Sequence, residues 1–226
     1  EARTEQWQSP ERQSAFEDVA LLLQDQLRLK RKMRIEFESD LVVILSEDQQ
    51  LLWPPLERQI IRDRLLPRGR LSGETIDVMS FVDQQEYTDE TLITLLPVLE
   101  EWDISVTPAL TARDEHMIEN QGSLMTAMRT MDMTSGLDVM KAQARHAENV
   151  RDISGTAIEN IVLLLSPEDG EVFNAFAKER SYPRIYRPTR TDRAYKAAME
   201  LEGLEEDILQ AINELYAALQ DEMIYA

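Results

Sequence analysis

The chain has 226 residues, with 43% hydrophobic and 30% charged residues and a formal net charge of −19. Its length and apolar content suffice for one sizeable folded core or two small ones. The negative charge argues against sequence-independent binding to nucleic acid or to an anionic membrane, because like charges repel. The absence of cysteine excludes disulfides, thiolate metal sites and cysteine nucleophiles.

The composition favours helices, since the chain has only 7 glycines and no hairpin signature between two alternating runs. Ser9-Pro10 is a helix start, and we expect the first helix to run from about Pro10 to Leu45. Residues 34–38 alternate like a strand, but no turn signal flanks them, which favours helix. The apolar residues at helical spacing predict its buried side: Phe16, Val19, Leu23, Leu27, Phe37, Leu41 and Ile44.

Ser46 is a suitable cap for a second helix, in which Pro54-Pro55 mark either a delayed start or a bend. The end of this helix is the most basic segment of the chain. Its four arginines have two interpretations. They are candidate contacts for an acidic partner, or they clamp the loop by binding helix-end carbonyls and acidic side chains. These residues are Arg62, Arg64, Arg68 and Arg70.

Ser72 is expected to cap a short helix that ends near Val82, and Thr88 to open a long one that reaches about Met133. Pro97 and Pro108 are expected to bend or break that helix. Methionines cluster in its second half, where a flexible thioether surface suits varied apolar partners but also fills irregular cores. The two methionines chosen as candidate partner contacts are Met125 and Met128.

Residues 134–136 form the best internal boundary, after which we expect helices at 137–165 and from Ser166 to about Arg180. An irregular loop then contains Tyr182, Arg184, Tyr186 and Arg187. These side chains either bind a partner or pack across the bundle. Thr191 is expected to cap a short helix, and a last helix is expected to bury Leu204, Ile208, Ile212, Leu215 and Leu219.

Two stretches of the chain, residues 40–67 and 160–187, align without a gap. In each, an apolar run ends at a serine that suits a helix N-cap, and an aromatic residue follows seven positions later. Ser46 is followed by Trp53, and Ser166 by Phe173. The shared register predicts an internal duplication, with chance resemblance between two capped helices as the alternative.

Leu45-Ser46-Glu47-Asp48-Gln49 resembles the Leu-Thr-x-x-Gln motif of the Spy/CpxP-like family of bacterial envelope proteins. Residues 165–169 are a second copy, with Asp169 in place of Gln, and serine replaces threonine in both. The family forms thin antiparallel helical hairpins, often dimerises, and includes periplasmic chaperones and metal-stress proteins. The resemblance covers about half the chain, and none of the family's binding residues can be placed on it.

No catalytic motif is present, and no cofactor-binding motif. His116 and His146 each lack a second histidine at ligand spacing, so no metal site is predicted from them. The acidic residues are concentrated between positions 71 and 136, where they form a solvated face or bind cations or a basic partner weakly. No apolar run approaches the roughly 20 residues needed to span a bilayer.

The sequence therefore predicts an all-α protein, an elongated antiparallel bundle of two related repeats. Residues 1–136 would hold the first repeat and a connecting helix, and 137–226 the second, with one shared core. We expect a non-catalytic periplasmic or secreted protein that binds other proteins or itself, as a chaperone-like protein or an assembly subunit, although a cytoplasmic location is not excluded. The alternative function is an acidic cation-binding stress or storage protein.

Overall fold

The computed structural model of the protein describes residues 10–130, 133–201 and 203–224, without the side chains of residues 10–14, 16, 17, 128, 129, 133 and 220–224. These residues contain no strand, and the predicted all-α class is confirmed. A 3₁₀ turn, Leu66–Arg68, follows the second helix. The α-helices are α1 (Pro10–Ile44), α2 (Glu47–Leu65), α3 (Val78–Asp83), α4 (Asp89–Thr130), α5 (Met133–Leu164), α6 (Pro167–Ser181), α7 (Pro183–Tyr186), α8 (Arg190–Met199) and α9 (Glu206–Ile224).

The chain divides into two compact units, unit 1 ending at Ser181 and unit 2 beginning at Tyr182. This division differs from the boundary expected at residue 136. Gly136 lies inside α5, where a Cβ atom would come within 3.2 Å of the Ala127 side chain of α4. The lack of a side chain at Gly136 allows α4 and α5 to approach closely there, and the division into two repeats stays a prediction.

Unit 1 is built on the antiparallel pair α4 and α5. Near the start of α4, the indole N–H of Trp102 donates to Ser154 Oγ at 3.1 Å. Farther along α4, the rings of His116 and His146 lie with centroids 5.0 Å apart. Because the contacts move backward along α5 as they move forward along α4, the two helices run in opposite directions.

The apolar core of unit 1 lies where α4 and α5 meet α6 and residues 65–82. Trp102 and Phe173 are the largest fully buried side chains. Burying each such aromatic group contributes roughly 2 to 3 kcal/mol relative to leaving it in water. The core also contains Leu65, Leu66, Ile76, Val78, Phe81, Val82, Leu95, Leu99, Val106, Ala109, Leu110, Val150, Ala157, Ile161, Leu165 and Ala177.

The two serine corners form as predicted. Ser46 Oγ accepts from the Gln49 amide at 3.3 Å, and the Gln49 side chain accepts from the Ser46 amide, which completes a capping box. At the second corner Ser166 Oγ accepts from the Asp169 amide at 3.1 Å. These local matches are consistent with a repeated unit, and the duplication itself stays a prediction.

Two helix caps differ from the prediction. Asp77 caps α3, not Ser72, because Gly73 adopts φ +86°, a left-handed conformation that a helix beginning after Ser72 could not contain. Thr189 caps α8, not Thr191, through its bond to the Asp192 amide. Pro54 and Pro55 lie inside the continuous helix α2, and Pro97 and Pro108 lie inside the continuous helix α4. These prolines therefore break neither helix.

The predicted buried side of α1 is wrong over most of its length. Val19, Leu23, Phe37 and Ile44 are exposed, and the Phe16 side chain lies outside the described residues. The face that packs on α4 is instead largely polar, because it satisfies polar groups of that helix. Gln24, for example, donates to the backbone carbonyl oxygens of Ile118 and Glu119 at 3.3 and 2.7 Å.

Unit 2 consists of α7, α8 and α9. The rings of Tyr195 and Tyr216 stack with centroids 3.8 Å apart, and the Tyr216 hydroxyl donates to Asp192 at 2.7 Å. The burial predicted for α9 is wrong at Ile208 and Leu215, which are exposed because no further helix in the described part of unit 2 covers that face.

Candidate functional site

Asp103 of α4 anchors α2 through two arginines. Arg58 and Arg62 both form salt bridges with its carboxylate, and Arg62 also lies over the Trp102 ring, with its guanidinium carbon 5.4 Å from the ring centroid. Asp103 and Arg62 are buried, and burial lowers the pKa of Arg62 below its ordinary value. A buried charge is tolerated only when it is paired, so these groups depend on one another.

A second buried ion pair holds the loop that follows α2. Glu74 accepts from the backbone amides of Arg70 and Leu71, and Arg113 of α4 lies 3.6 Å from its other carboxylate oxygen. Arg113 also donates to the carbonyl oxygen of Leu65. Burial lowers the pKa of Arg113, and Glu74 partly opposes this effect. The pair therefore ties α4 to the end of α2.

Two further arginines of the basic segment also form salt bridges within the chain. Arg64 lies 3.9 Å from Glu38 of α1, and Arg68 lies 3.1 Å from Asp114 of α4. Since α2 reaches Asp103 first and Asp114 past its end, α2 runs parallel to α4. These are the contacts of the clamp interpretation. Arg62 has no exposed surface for a partner, whereas the side chains of Arg68 and Arg70 are exposed.

The other predicted contacts belong to α4 and to unit 2. Met125 is half-buried in α4, and the Met128 side chain lies outside the described residues. In unit 2 the rings of Tyr182 and Tyr186 meet edge to face, with centroids 6.3 Å apart. The arginines of that loop, Arg184 and Arg187, are exposed. The structure thus places the predicted residues in two separate units.

His116 and His146 form the main cluster of titratable groups outside the ion pairs. Asn120 donates to His116 Nδ1 at 3.2 Å, and Nε2 lies 3.4 Å from the carbonyl oxygen of Val139, which assigns the proton to Nε2. Both nitrogens of His116 are therefore engaged. The described residues include no group of three or more His, Asp or Glu side chains that could hold a metal ion.

An open groove of about 270 Å³ lies between α4 and α5. Its floor includes Trp102 and Ala157, and its polar lining includes Glu101, Asp152 and Asn160. No basic residue lines it. The groove therefore adds acidic groups to this part of α4 and α5.

The outward face of α1 is an apolar stripe, here called the outer stripe. Six of its residues lie within about a third of the helix circumference, and their exposed fractions range from 50% to 77%. The opposite face carries the polar contacts to α4, so α1 presents its apolar side to water. The outer stripe consists of Val19, Leu22, Leu29, Met33, Phe37 and Ile44.

The two serine corners carry a second exposed apolar surface. Val43, Ile44 and Leu52 flank the first corner, and the positions aligned with them, Leu163, Leu164 and Val172, flank the second. All six side chains are exposed. The periodicity of the sequence did not predict this surface. Periodicity shows where the apolar residues lie along a helix, but it does not show which face of the helix packs against another element.

Comparison with known proteins gives no relative. No family model matches the chain, and neither a characterised protein nor a solved structure matches it. Among the described helices, none combines the length and apolar character that a bilayer-spanning segment needs.

Proposed function

We propose that this is a non-catalytic helical protein of the periplasm or the extracellular medium that binds other proteins, as a chaperone-like protein or as a subunit of an assembly. The observation that carries the proposal is the outer stripe of α1. Helices in water normally turn their apolar face toward a core. A helix that packs through polar groups and leaves its apolar face outside is suited to cover another protein.

The size of the outer stripe supports this proposal. If each of its six side chains exposes on the order of 100 Å², the stripe leaves on the order of 600 Å² of apolar surface in water. That is close to the roughly 800 Å² that each partner contributes to a standard protein interface. Contiguous apolar surfaces of this size on soluble proteins commonly mark interaction sites.

The resemblance to the Spy/CpxP-like family agrees with this function. Leu45-Ser46-Glu47-Asp48-Gln49 carries the family-like motif, and the capping box between Ser46 and Gln49 gives that motif a structural role. In the family such motifs belong to helical proteins that dimerise and hold apolar clients. The exposed apolar faces of α1 are the kind of surface that this activity requires.

The test is to make the outer stripe polar and to measure the native mass and the stoichiometry of co-purifying proteins. In the variant Leu22→Ser/Leu29→Ser/Phe37→Ser we expect loss of the oligomer or complex with an unchanged helical circular dichroism spectrum. A matched control removes three exposed apolar residues from unit 2, Ile185→Ser/Leu201→Ser/Leu215→Ser. The control should keep the assembly.

Native mass and co-purification, combined with an assay of client aggregation, separate the two forms of the proposal. A discrete stoichiometric complex identifies a subunit, and suppression of client aggregation by a free monomer or dimer identifies a chaperone-like protein. A wild-type protein that is monomeric, has no co-purifying protein and leaves client aggregation unchanged would contradict both.

A further inference from the structure

The topology of unit 1 brings both serine corners to one end of the bundle, the end at which α4 begins. The first corner lies there because α2 runs parallel to α4. The second lies there because α5, which is antiparallel to α4, ends at Leu164 and leads into it. This end of unit 1 is called the acidic end below.

Each corner divides its apolar residues between the inside and the outside in the same way. Leu52 and its aligned residue Val172 are 71% and 58% exposed, whereas Trp53 and Phe173, one position later, are buried. The core therefore takes the aromatic residue of each corner and leaves the aliphatic one in water. Together with Val43-Ile44 and Leu163-Leu164, these residues give the acidic end two matched apolar patches.

Exposed carboxylates lie close to these patches along the chain and at the start of α4. Nine exposed acidic side chains lie beside them, and none of the nine forms a salt bridge within the part of the chain that the structure describes. They are Asp40, Glu47, Asp48, Asp89, Glu90, Glu159, Glu168, Asp169 and Glu171.

Three segments that contribute to this end contain no Lys, Arg or His. Residues 35–57, 71–112 and 152–177 contain 6, 9 and 5 acidic residues. Five of these acids, Glu36, Glu38, Glu74, Asp103 and Asp152, form salt bridges, and the others include the nine exposed carboxylates. Each like charge raises the free energy of its neighbours, and a cationic partner would relieve that repulsion.

Helix capping explains only part of this pattern. Acids in the first turns of α2, α4 and α6 interact favourably with the helix dipole. Asp40, Glu159 and Glu171 lie outside those first turns, and capping does not require the exposed residues Leu52 and Val172. The combination of apolar patches with an uncompensated acidic rim is instead complementary to one kind of ligand.

We propose that the acidic end binds a basic amphipathic helix of a partner protein. The apolar face of that helix would cover the two corner patches, and its Lys and Arg side chains would face the surrounding carboxylates. The acidic rim would repel anionic membranes and nucleic acids from the same surface. The inference rests on the proposed protein-binding function, but it concerns a surface that shares only Ile44 with the outer stripe.

The test uses a fluorescent synthetic amphipathic helix of leucines and lysines, titrated with the full chain at physiological salt and followed by anisotropy. Two further peptides serve as probes of the mechanism. One has glutamates in place of the lysines, and the other has the same composition with its apolar face scrambled. We expect binding of the first peptide alone and weaker binding as salt rises.

Variants of the chain locate the site. Each of Val43→Ser/Ile44→Ser/Leu52→Ser and Leu163→Ser/Leu164→Ser/Val172→Ser should weaken binding about tenfold, or about 1.4 kcal/mol. Removing rim charges in Asp40→Asn/Glu159→Gln/Glu171→Gln should also weaken it and reduce its salt dependence. The matched control, Leu22→Ser/Leu29→Ser/Phe37→Ser of the outer stripe, should bind like wild type. All these side chains are exposed or half-buried at most, and circular dichroism verifies folding.

Three results would overturn the inference. The scrambled peptide could bind as tightly as the amphipathic one, which would show attraction by charge alone. Both corner variants could bind like wild type, or the wild-type chain could fail to bind the peptide. In any of these cases the proposed function would still stand if the outer-stripe variant loses its assembly, so the two failures are distinguishable.

Discussion

The two sides of α4 hold unit 1 together by different physical means. Toward α5 and α6, α4 contributes Leu95, Trp102 and Leu110 to a dry apolar core. Toward α1 and α2 it contributes Asp103 and Arg113, which are buried in salt bridges. The first side is held by apolar packing. The second is held largely by ion pairs, and several large apolar residues of α1 and α2 stay exposed.

This difference connects the fold to the proposed function. A polar interface fixes the position of two helices through directional bonds without using their apolar surface. α1 and α2 thereby keep a defined place on unit 1 while the outer stripe and the first corner stay exposed. The charged side of α4 thus holds the helices that carry the proposed binding surfaces.

The largest expected effect comes from breaking the charged side at its centre. Asp103→Ala leaves Arg58 and the buried Arg62 without their carboxylate, and we expect a loss of about 3 to 5 kcal/mol in the free energy of unfolding. Urea titration followed by circular dichroism measures it. The double variant Asp103→Ala/Arg62→Met removes the stranded charge and should recover part of the loss. A loss below about 1 kcal/mol for Asp103→Ala would contradict the importance of this pair.

A pair of leucine truncations compares the buried and the exposed apolar residues directly. Leu110→Ala opens a cavity in the core and should cost about 2 to 5 kcal/mol. Leu22→Ala, on the outer stripe, should change the unfolding free energy by less than about 0.5 kcal/mol. Equal losses in urea titrations of the isolated chain would show that α1 is packed through its outer stripe.

Sequence predicted the helices better than the faces they bury. Helix α1 spans Pro10–Ile44 in the described residues and ends one residue before the expected end, because the length of a helix follows from local signals. The orientation of α1 was mispredicted, since Gln24 and Arg31 bind groups of α4 that are more than 80 residues away in sequence. Such partners are invisible to a periodicity argument.

The candidate sites show the same limit. The basic segment around Arg62 was recognisable from composition, and so was the choice between docking and clamping. Only the fold brings Asp103 next to Arg62 and Glu74 next to Arg113. The acidic end required knowledge that three distant segments meet at the start of α4, although their lack of Lys and Arg was already visible in the sequence.

The two corner caps provide a smaller test of the repeat. Ser46→Ala and Ser166→Ala each remove one acceptor for a first-turn amide and should each cost about 1 kcal/mol. Matched losses in thermal or urea unfolding would support equivalent local roles. Replacing Ser39, an exposed serine inside α1, provides the control. A loss at one corner alone would argue against equivalence.

The smallest expected effect is a pH dependence at the α4–α5 interface. Burial, and secondarily the nearby His116, lower the pKa of His146 below its ordinary value of 6.5. The unfolded chain therefore binds a proton at His146 more readily than the folded chain. Stability should fall as the pH decreases through 6.5 toward the lower folded-state pKa, and should be constant with respect to this group above that range.

His146→Gln should reduce the difference in urea midpoint measured above and below pH 6.5. Because carboxylates titrate in both proteins, the comparison with wild type isolates the histidine. An unchanged pH dependence in the variant would show that His146 does not distinguish the folded from the unfolded state.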